Sequence, residues 1–127
     1  MTLATHNPIG FIPTTNPATA RRFFAETLGL TLISEDQFAL VFHIGPHHQM
    51  LRVTIVPSYT PLPFTIFGWE VSNLAEVVTQ LTAAGVGFQR YSFLPQDDLG
   101  IWTAPSGSQI AWFHDPEGNI LSLSKHD

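Results

Sequence analysis

Residues 16–30 read Asn16-Pro17-Ala18-Thr19-Ala20-Arg21-Arg22-Phe23-Phe24-Ala25-Glu26-Thr27-Leu28-Gly29-Leu30, and residues 73–86 repeat the pattern as Asn73-Leu74-Ala75-Glu76-Val77-Val78-Thr79-Gln80-Leu81-Thr82-Ala83-Ala84-Gly85-Val86. Each segment opens on an asparagine, a favoured N-cap residue, and closes on a glycine that fits the position just past a helix C-terminus. Apolar side chains recur at helical spacing in between. An extended apolar segment precedes each helix and further strands follow it, so the chain is predicted to contain two similar modules.

The other apolar segments predict nine strands, which are separated by turns rich in Gly, Pro, Asp and Ser. These strands cover residues 8–14, 30–34, 37–44, 49–56, 64–71, 86–91, 100–104, 108–114 and 119–124. The linker 57–63 holds three prolines and separates module one (6–57) from module two (64–125) within a single domain, 1–127.

The second module is predicted to carry an insertion. The two helix N-caps lie 57 positions apart, whereas the later turns at Gly45 and Asp115 lie 70 apart, which places 13 extra residues around Ser92–Ala104. Two interpretations stay open. The insertion is either a surface hairpin that lengthens the sheet or a flap over a pocket, with Trp102 facing a ligand.

Composition narrows the classes of function. A net charge of −5 with only five Lys and Arg residues argues against nucleic acid or an anionic membrane as partner. The chain has no cysteine, which excludes disulfides and thiolate metal sites. No apolar run is long enough to span a membrane and the N-terminus lacks a secretory signal, so a cytoplasmic protein is expected. Fifteen aromatic residues with few charges to cover them predict an apolar patch and a homodimer.

The order of several short motifs resembles the vicinal oxygen chelate superfamily, which includes glyoxalase I, extradiol dioxygenases and bleomycin-resistance proteins. The motifs are Ala20–Phe24 with Leu28-Gly29-Leu30, Gly68-Trp69-Glu70-Val71, Ala84-Gly85-Val86, and Ala111–Leu123 with its turn Asp115-Pro116-Glu117-Gly118-Asn119. The resemblance implies an α+β fold in which two tandem βαβββ modules form a curved mixed sheet, a partial barrel, around a cleft.

The resemblance also implies where metal ligands would lie. Metal-dependent members place two ligands in each module, at positions that correspond here to Ile9, Arg52, Ile66 and Ser122. Divalent metals need nitrogen, oxygen or thiolate donors, which isoleucine lacks, and an arginine beside a cation adds repulsion. We therefore expect no metal and no other cofactor at the family site. A displaced site of His43, His114 and Glu70 is the alternative.

Strand alternation places all four positions on the side away from the helices. Leu51, Val53 and Ile55 are expected under a helix, which leaves Arg52 on the other face. The same alternation puts Phe67, Trp69, Leu121 and Leu123 under the helices and Ile66, Gly68, Glu70 and Ser122 opposite.

Arg52 is the strongest candidate binding residue, because a guanidinium inside an apolar strand must find an anion. Its partner is either Glu70, in a structural ion pair, or the carboxylate or phosphate of a small ligand held bidentately. Trp112, Trp102, Tyr91, Phe11 and Phe42 are candidate walls for a planar ligand. His43 and His114 are candidate acid or base groups.

The sequence thus predicts a metal-free protein that binds a small organic molecule, anionic or planar, in an apolar aromatic cleft. The expected ligand-binding residues are Arg52, Glu70, Ile9, Phe11, Ile66, Trp102, Trp112, His114 and Ser122. The alternative is an enzyme of the same superfamily. It would be a metal-dependent lyase, isomerase or dioxygenase if the assumed register is wrong, or a metal-free acid–base catalyst. A third interpretation is a dimeric module with a degenerate cleft.

Overall fold

The computed structural model describes residues 2–126, which divide into two compact units with a boundary between Thr60 and Pro61. Unit 1 contains β1 (Ile9–Thr14), α1 (Pro17–Arg21), a π-helix (Arg22–Thr27), β2 (Thr31–Glu35), β3 (Ala39–Ile44) and β4 (Gln49–Ile55). Unit 2 contains β5 (Thr65–Glu70), α2 (Leu74–Ala83), β6 (Trp102–Thr103), β7 (Gln109–His114) and β8 (Ile120–Lys125). The fold is α+β with two βαβββ modules, which confirms the predicted class.

Each unit has one four-stranded mixed sheet. The strand order is β1-β4-β3-β2 in unit 1 and β5-β8-β7-β6 in unit 2. In both sheets the first strand pairs in parallel with the last, and the remaining pairs are antiparallel. The connection between the two parallel strands consists of the helical segment and the two strands that follow it.

The core of unit 1 lies between one face of its sheet and the helical segment. Its fully buried side chains include Ile12, Phe24, Leu40, Phe42, Leu51 and Val53. Burial of each large apolar side chain contributes about 1.5–3 kcal/mol.

Unit 2 builds its core in the same way from β7, β8 and α2. The buried side chains are Leu74, Val78, Val86, Ile101, Ala111, Phe113, Leu121 and Leu123. No helix among residues 2–126 is both long and apolar enough to cross a membrane.

The first helical segment differs from the expected α-helix. Asn16 caps it as predicted, since its Oδ1 accepts a hydrogen bond from the Thr19 amide at 3.2 Å. After Arg21 the helix widens, and the Leu28 amide donates to the Phe23 carbonyl five residues earlier, at 2.9 Å. Gly29 then ends the segment with φ of +77°, a conformation that favours glycine.

Asn73 precedes α2, but its side chain makes no hydrogen bond to the helix backbone. Its Nδ2 instead donates to Glu76 Oε2 at 3.2 Å. The predicted capping role of the Asn73 side chain is therefore wrong, because the carboxylate three residues later takes its amide. Gly85 closes α2 with φ of +101°, as predicted.

The strand predicted at 86–91 is also absent. This segment forms a single bridge, between Phe88 and Phe113, and the Gln89 amide donates to the Trp112 carbonyl at 2.8 Å. The strand predicted at 100–104 is reduced to Trp102–Thr103, which pairs with Ile110 and Gln109. The outer edge of β7 is therefore shared by two segments, whereas β2 alone lines the corresponding edge of β3.

Candidate functional site

Each sheet has one face buried against its helical segment and one face away from it, which we call the open face. In unit 1, β1 pairs Phe11 with Arg52 and Ile9 with Met50, so these side chains share the open face. In unit 2, Gly68 and Trp112 both pair with Ser122, and Ile110 pairs with both Trp102 and Ser124. The open-face positions that strand alternation predicted for Ile9, Arg52, Gly68 and Ser122 are confirmed.

Phe42 does not belong to the open face. It pairs with Leu51, is fully buried, and its ring lies 5.9 Å from that of Phe24. The proposal of Phe42 as a wall for a planar ligand is therefore wrong, because its side chain belongs to the core of unit 1.

Four rings form what we call the aromatic surface of unit 2: Tyr91, Phe93, Trp102 and Trp112. The Trp102 and Trp112 rings lie 6.1 Å apart and are inclined by 30°. Tyr91 meets Trp112 edge-on at 5.5 Å, and Phe93 lies 5.6 Å from Tyr91. Phe93 is 78% exposed, and the two tryptophans are half-buried. Phe93 was not among the predicted wall residues, although its position in the insertion, two residues after Tyr91, is a signal that could have indicated it.

Gln96 holds the segment that carries two of these rings. Its Oε1 accepts a hydrogen bond from the Tyr91 amide at 2.7 Å, and its Nε2 donates to the carbonyls of Gln89 and Gly100 at 2.9 and 2.8 Å. This one half-buried side chain therefore ties the start of the insertion to its end.

Two further side chains fix the same segment. Asp97 Oδ1 accepts hydrogen bonds from the amides of Leu99 and Ile101, both at 2.9 Å. The Arg90 guanidinium donates to the carbonyls of Asp97 and Asp98. The insertion thus adds a two-residue strand to the sheet, as the first interpretation predicts, and this strand places Trp102 on the open face beside Trp112. A flap over a pocket stays a prediction.

Arg52 lies on the open face of unit 1, in a strand flanked on both sides. Its neighbours across the sheet are Phe11 on β1 and Val41 on β3. The side chain is half-buried, and none of residues 2–126 forms a hydrogen bond or an ion pair with its guanidinium. Phe11 is 60% exposed and Ile9 is 48% exposed, so apolar surface surrounds this charge.

Asp36 is a carboxylate of unit 1 whose pKa is affected by the charge of Arg52. Hydrogen bonds from the Phe38 and Ala39 amides lower the pKa of Asp36, and attraction to Arg52 lowers it further by a smaller amount. Asp36 Oδ1 accepts those amide hydrogen bonds at 2.8 and 3.0 Å. The Asp36 carboxylate is therefore hydrogen-bonded to amides of its own turn and not to the Arg52 guanidinium.

Glu70, the other partner considered for Arg52, is engaged inside unit 2. Its Oε2 lies 3.3 Å from His126 Nδ1, and both side chains are more than half exposed. Together with Val71, Ser72 and Lys125 they line a recess of about 360 Å³, which no sequence motif had indicated. His114 is exposed at the end of β7, and the His43 ring lies 5.0 Å from that of His48.

The residues at the four positions implied for metal ligands do not fit a metal ion. Ile9 and Ile66 offer no donor atom, Arg52 carries a like charge, and a serine hydroxyl such as that of Ser122 is a poor donor. Among residues 2–126 no three His, Asp or Glu side chains are grouped so that they could hold one ion. This finding gives no support to the alternative site of His43, His114 and Glu70.

The turn Asp115–Asn119 has a structural role. Asp115 Oδ1 accepts hydrogen bonds from the amides of Glu117 and Asn119 at 3.0 and 2.9 Å, and its Oδ2 accepts one from Asn119 Nδ2 at 2.9 Å. Burial raises the pKa of Asp115, and these hydrogen bonds partly oppose the shift. Asp115 is 5% exposed, and its carboxylate closes the turn between β7 and β8.

Comparison with known proteins identifies the fold. No protein-family model matches the sequence, and no curated protein sequence is significantly similar to it. Among solved structures, a member of the glyoxalase/bleomycin resistance protein/dioxygenase superfamily from Sphaerobacter thermophilus matches with a TM-score of 0.75 and 18% identity, over 96% of this chain and 98% of that one.

Two other solved structures match equally broadly. A bleomycin-binding protein complexed with bleomycin has a TM-score of 0.73 and 20% identity, over 97% of this chain and all of its own. A lactoylglutathione lyase from Agrobacterium tumefaciens has a TM-score of 0.72 and 16% identity, over 97% and 95% of the two chains. The chain therefore has the vicinal oxygen chelate fold, as the sequence motifs predicted.

Proposed function

We propose that this protein binds a small organic molecule, planar or anionic, and that the binding residues lie on the open faces of its sheets. The observation that carries the proposal is the aromatic surface of unit 2. Two tryptophans inclined by 30° are backed by a tyrosine and are held by a loop with its own hydrogen-bond network. Flat, half-buried rings in a fixed arrangement are well suited to stacking against a planar ligand.

Two considerations support binding rather than a metal-dependent reaction. The residues at the implied metal positions supply no adequate set of metal-ligand atoms, so these positions do not support a metal-dependent reaction like that of the metal-dependent members. A protein of the same fold is solved in complex with bleomycin, which makes that molecule a reasonable probe.

The chain offers a matched fluorescence test, since it has only three tryptophans. Trp69 pairs with Leu123 on the helix-facing side of its sheet, whereas Trp102 and Trp112 form the aromatic surface. In Trp69→Phe only the two open-face tryptophans emit, and in the double variant Trp102→Phe/Trp112→Phe only Trp69 emits. We would titrate both with 2-naphthoate, 2-naphthamide and bleomycin.

The expected result is quenching or a shift of emission in Trp69→Phe and little change in the double Phe variant. Replacing both open-face tryptophans with alanine should weaken binding at least about fivefold, because two aromatic contacts at about 0.5–1.5 kcal/mol each contribute about 1–3 kcal/mol beyond their buried area. No response from any probe in Trp69→Phe, or equal responses in both variants, would refute the aromatic surface as the binding site.

The proposal includes the absence of a resident metal and a homodimeric state. Elemental analysis of protein purified without chelator or affinity tag tests the first, and a stoichiometric metal would contradict it. Light scattering at micromolar concentration tests the second. Exposed Phe38 and Phe64, which are not among the proposed binding residues, supply apolar surface for a partner subunit, and a monomeric mass would contradict the dimer.

A further inference from the structure

The open face of unit 1 places the guanidinium of Arg52 beside exposed apolar side chains. Arg52 sits between Phe11 and Val41, and the next pair along β1 and β4 is Ile9 with Met50. The Arg52 guanidinium has five N–H donors, and none of residues 2–126 accepts a hydrogen bond from it. A half-buried cation on an apolar face gains most from an anion that also brings apolar surface.

We propose that this face binds an apolar organic carboxylate, with its carboxylate on Arg52 and its body on Phe11, Ile9 and Met50. The inference rests on the proposed small-molecule function and names the chemical class of the ligand. A planar carboxylate matches the guanidinium fork in two parallel hydrogen bonds, which a lysine cannot reproduce.

The charges of unit 1 favour a monoanion over a phosphate dianion. Unit 1 contains three arginines and three carboxylates. Arg21 is paired with Glu35 at 2.7 Å and lies on α1, so it is committed elsewhere. Arg52 is the basic residue of β4, and Asp36 already attracts it weakly. A single guanidinium compensates one negative charge, and the apolar neighbours Phe11 and Val41 supply no donors for a second.

Asp36 provides an internal check on this electrostatic argument. Attraction to Arg52 is a minor cause of the lowered pKa of Asp36, and the negative charge that Arg52 attracts would repel an anion approaching the guanidinium. Asp36→Asn keeps an oxygen to accept the Phe38 and Ala39 amides and removes the charge. This variant should bind the carboxylate more tightly than the wild type.

The test is calorimetric titration with 2-naphthoate and its neutral analogue 2-naphthamide, together with amide chemical shifts to locate binding. The wild type should prefer naphthoate by at least tenfold, with the largest shifts in β1, β3 and β4. Arg52→Met should abolish that preference, Arg52→Lys should retain only part of it, and Asp36→Asn should increase it. Arg22→Met, which removes an exposed arginine of the helical segment, is the matched control and should change nothing.

Equal affinity of folded Arg52→Met and wild type for naphthoate would overturn the inference, as would equal binding of naphthoate and naphthamide by the wild type. If Arg52→Met does not fold, the other two variants provide the test. Weaker naphthoate binding by Arg52→Lys and tighter binding by Asp36→Asn support the inference, and unchanged binding by both overturns it. Tighter binding of inorganic phosphate than of naphthoate would also overturn it. If the tryptophan probes respond while Arg52 variants have no effect, the proposed function stands and this inference alone fails. If no probe binds anywhere, both fail.

Discussion

Ser122 fills the space in which a side chain on Gly68 would begin. The two residues are neighbours in the parallel pair of β5 and β8, and a Cβ built on Gly68 would lie 2.8 Å from the Ser122 carbonyl oxygen and closer still to its hydroxyl. Real Cβ atoms essentially never approach backbone oxygen so closely. Glycine at position 68 therefore allows the edge strand β5 to approach β8, and this steric reason is independent of backbone dihedral angles.

Gly68→Ala should destabilise unit 2 by about 1–3 kcal/mol, the usual range for a side chain forced into occupied space. The Ser122 backbone would have to move, and β5 would separate from β8 at this point. Urea denaturation measures the change in the free energy of unfolding. The matched control is Gly87→Ala, because a Cβ on Gly87 meets nothing within 4 Å. Equal stability of the two variants would contradict the steric explanation.

Gln96→Ala should lower the stability of unit 2 by about 2–3 kcal/mol, since three hydrogen bonds worth about 0.5–1.5 kcal/mol each are lost. The Tyr91 amide, which donates to Gln96 Oε1, should then exchange its proton with solvent faster. Thermal denaturation and hydrogen exchange measure the two effects. Gln80→Ala on the exposed side of α2 is the control and should leave Tyr91 exchange unchanged. Unaltered exchange in Gln96→Ala would show that other contacts hold the loop.

The sequence predicted the two-module architecture because the helix boundaries are marked by strong local signals. Gly29 and Gly85 both adopt positive φ values, and the Asn16 side chain caps its helix. Strand alternation also placed Arg52 and Ser122 correctly, since their neighbours Leu51, Val53, Leu121 and Leu123 are clearly apolar and buried.

The features that were missed depend on tertiary contacts. The strand Ala39–Ile44 is apolar at almost every position, so only its register with β4, which pairs Phe42 with Leu51, shows that Phe42 is in the core. The widening of the first helix at Arg22–Thr27 has no signature in a 3.6-residue pattern. The division of the β7 edge between Phe88 and Trp102 depends on where the insertion leaves and rejoins the sheet.

Asp115 makes the stability of unit 2 depend on pH in the direction opposite to that of a solvent-exposed, salt-bridged carboxylate. Burial raises its pKa above the ordinary value of 3.8, so the folded state retains the proton at pH values where the unfolded state has lost it. The contribution of Asp115 is therefore fully present below about pH 3.8 and decreases as pH rises through the raised pKa of the folded state. Denaturation of the wild type and of Asp115→Asn at pH 4, 5, 6 and 7 measures this.

Asp115→Asn removes the titrating group and keeps an oxygen for the Glu117 and Asn119 amides, at a cost of about 1 kcal/mol for the hydrogen bond from Asn119 Nδ2. The wild type should lose its advantage over Asp115→Asn as pH rises from 4 to 7. Asp98→Asn, which removes an exposed carboxylate of the same unit, is the control and should follow the wild-type profile. A wild-type advantage that instead grows with pH would mean that the three hydrogen bonds outweigh burial, and that the ionised Asp115 is the form the turn stabilises.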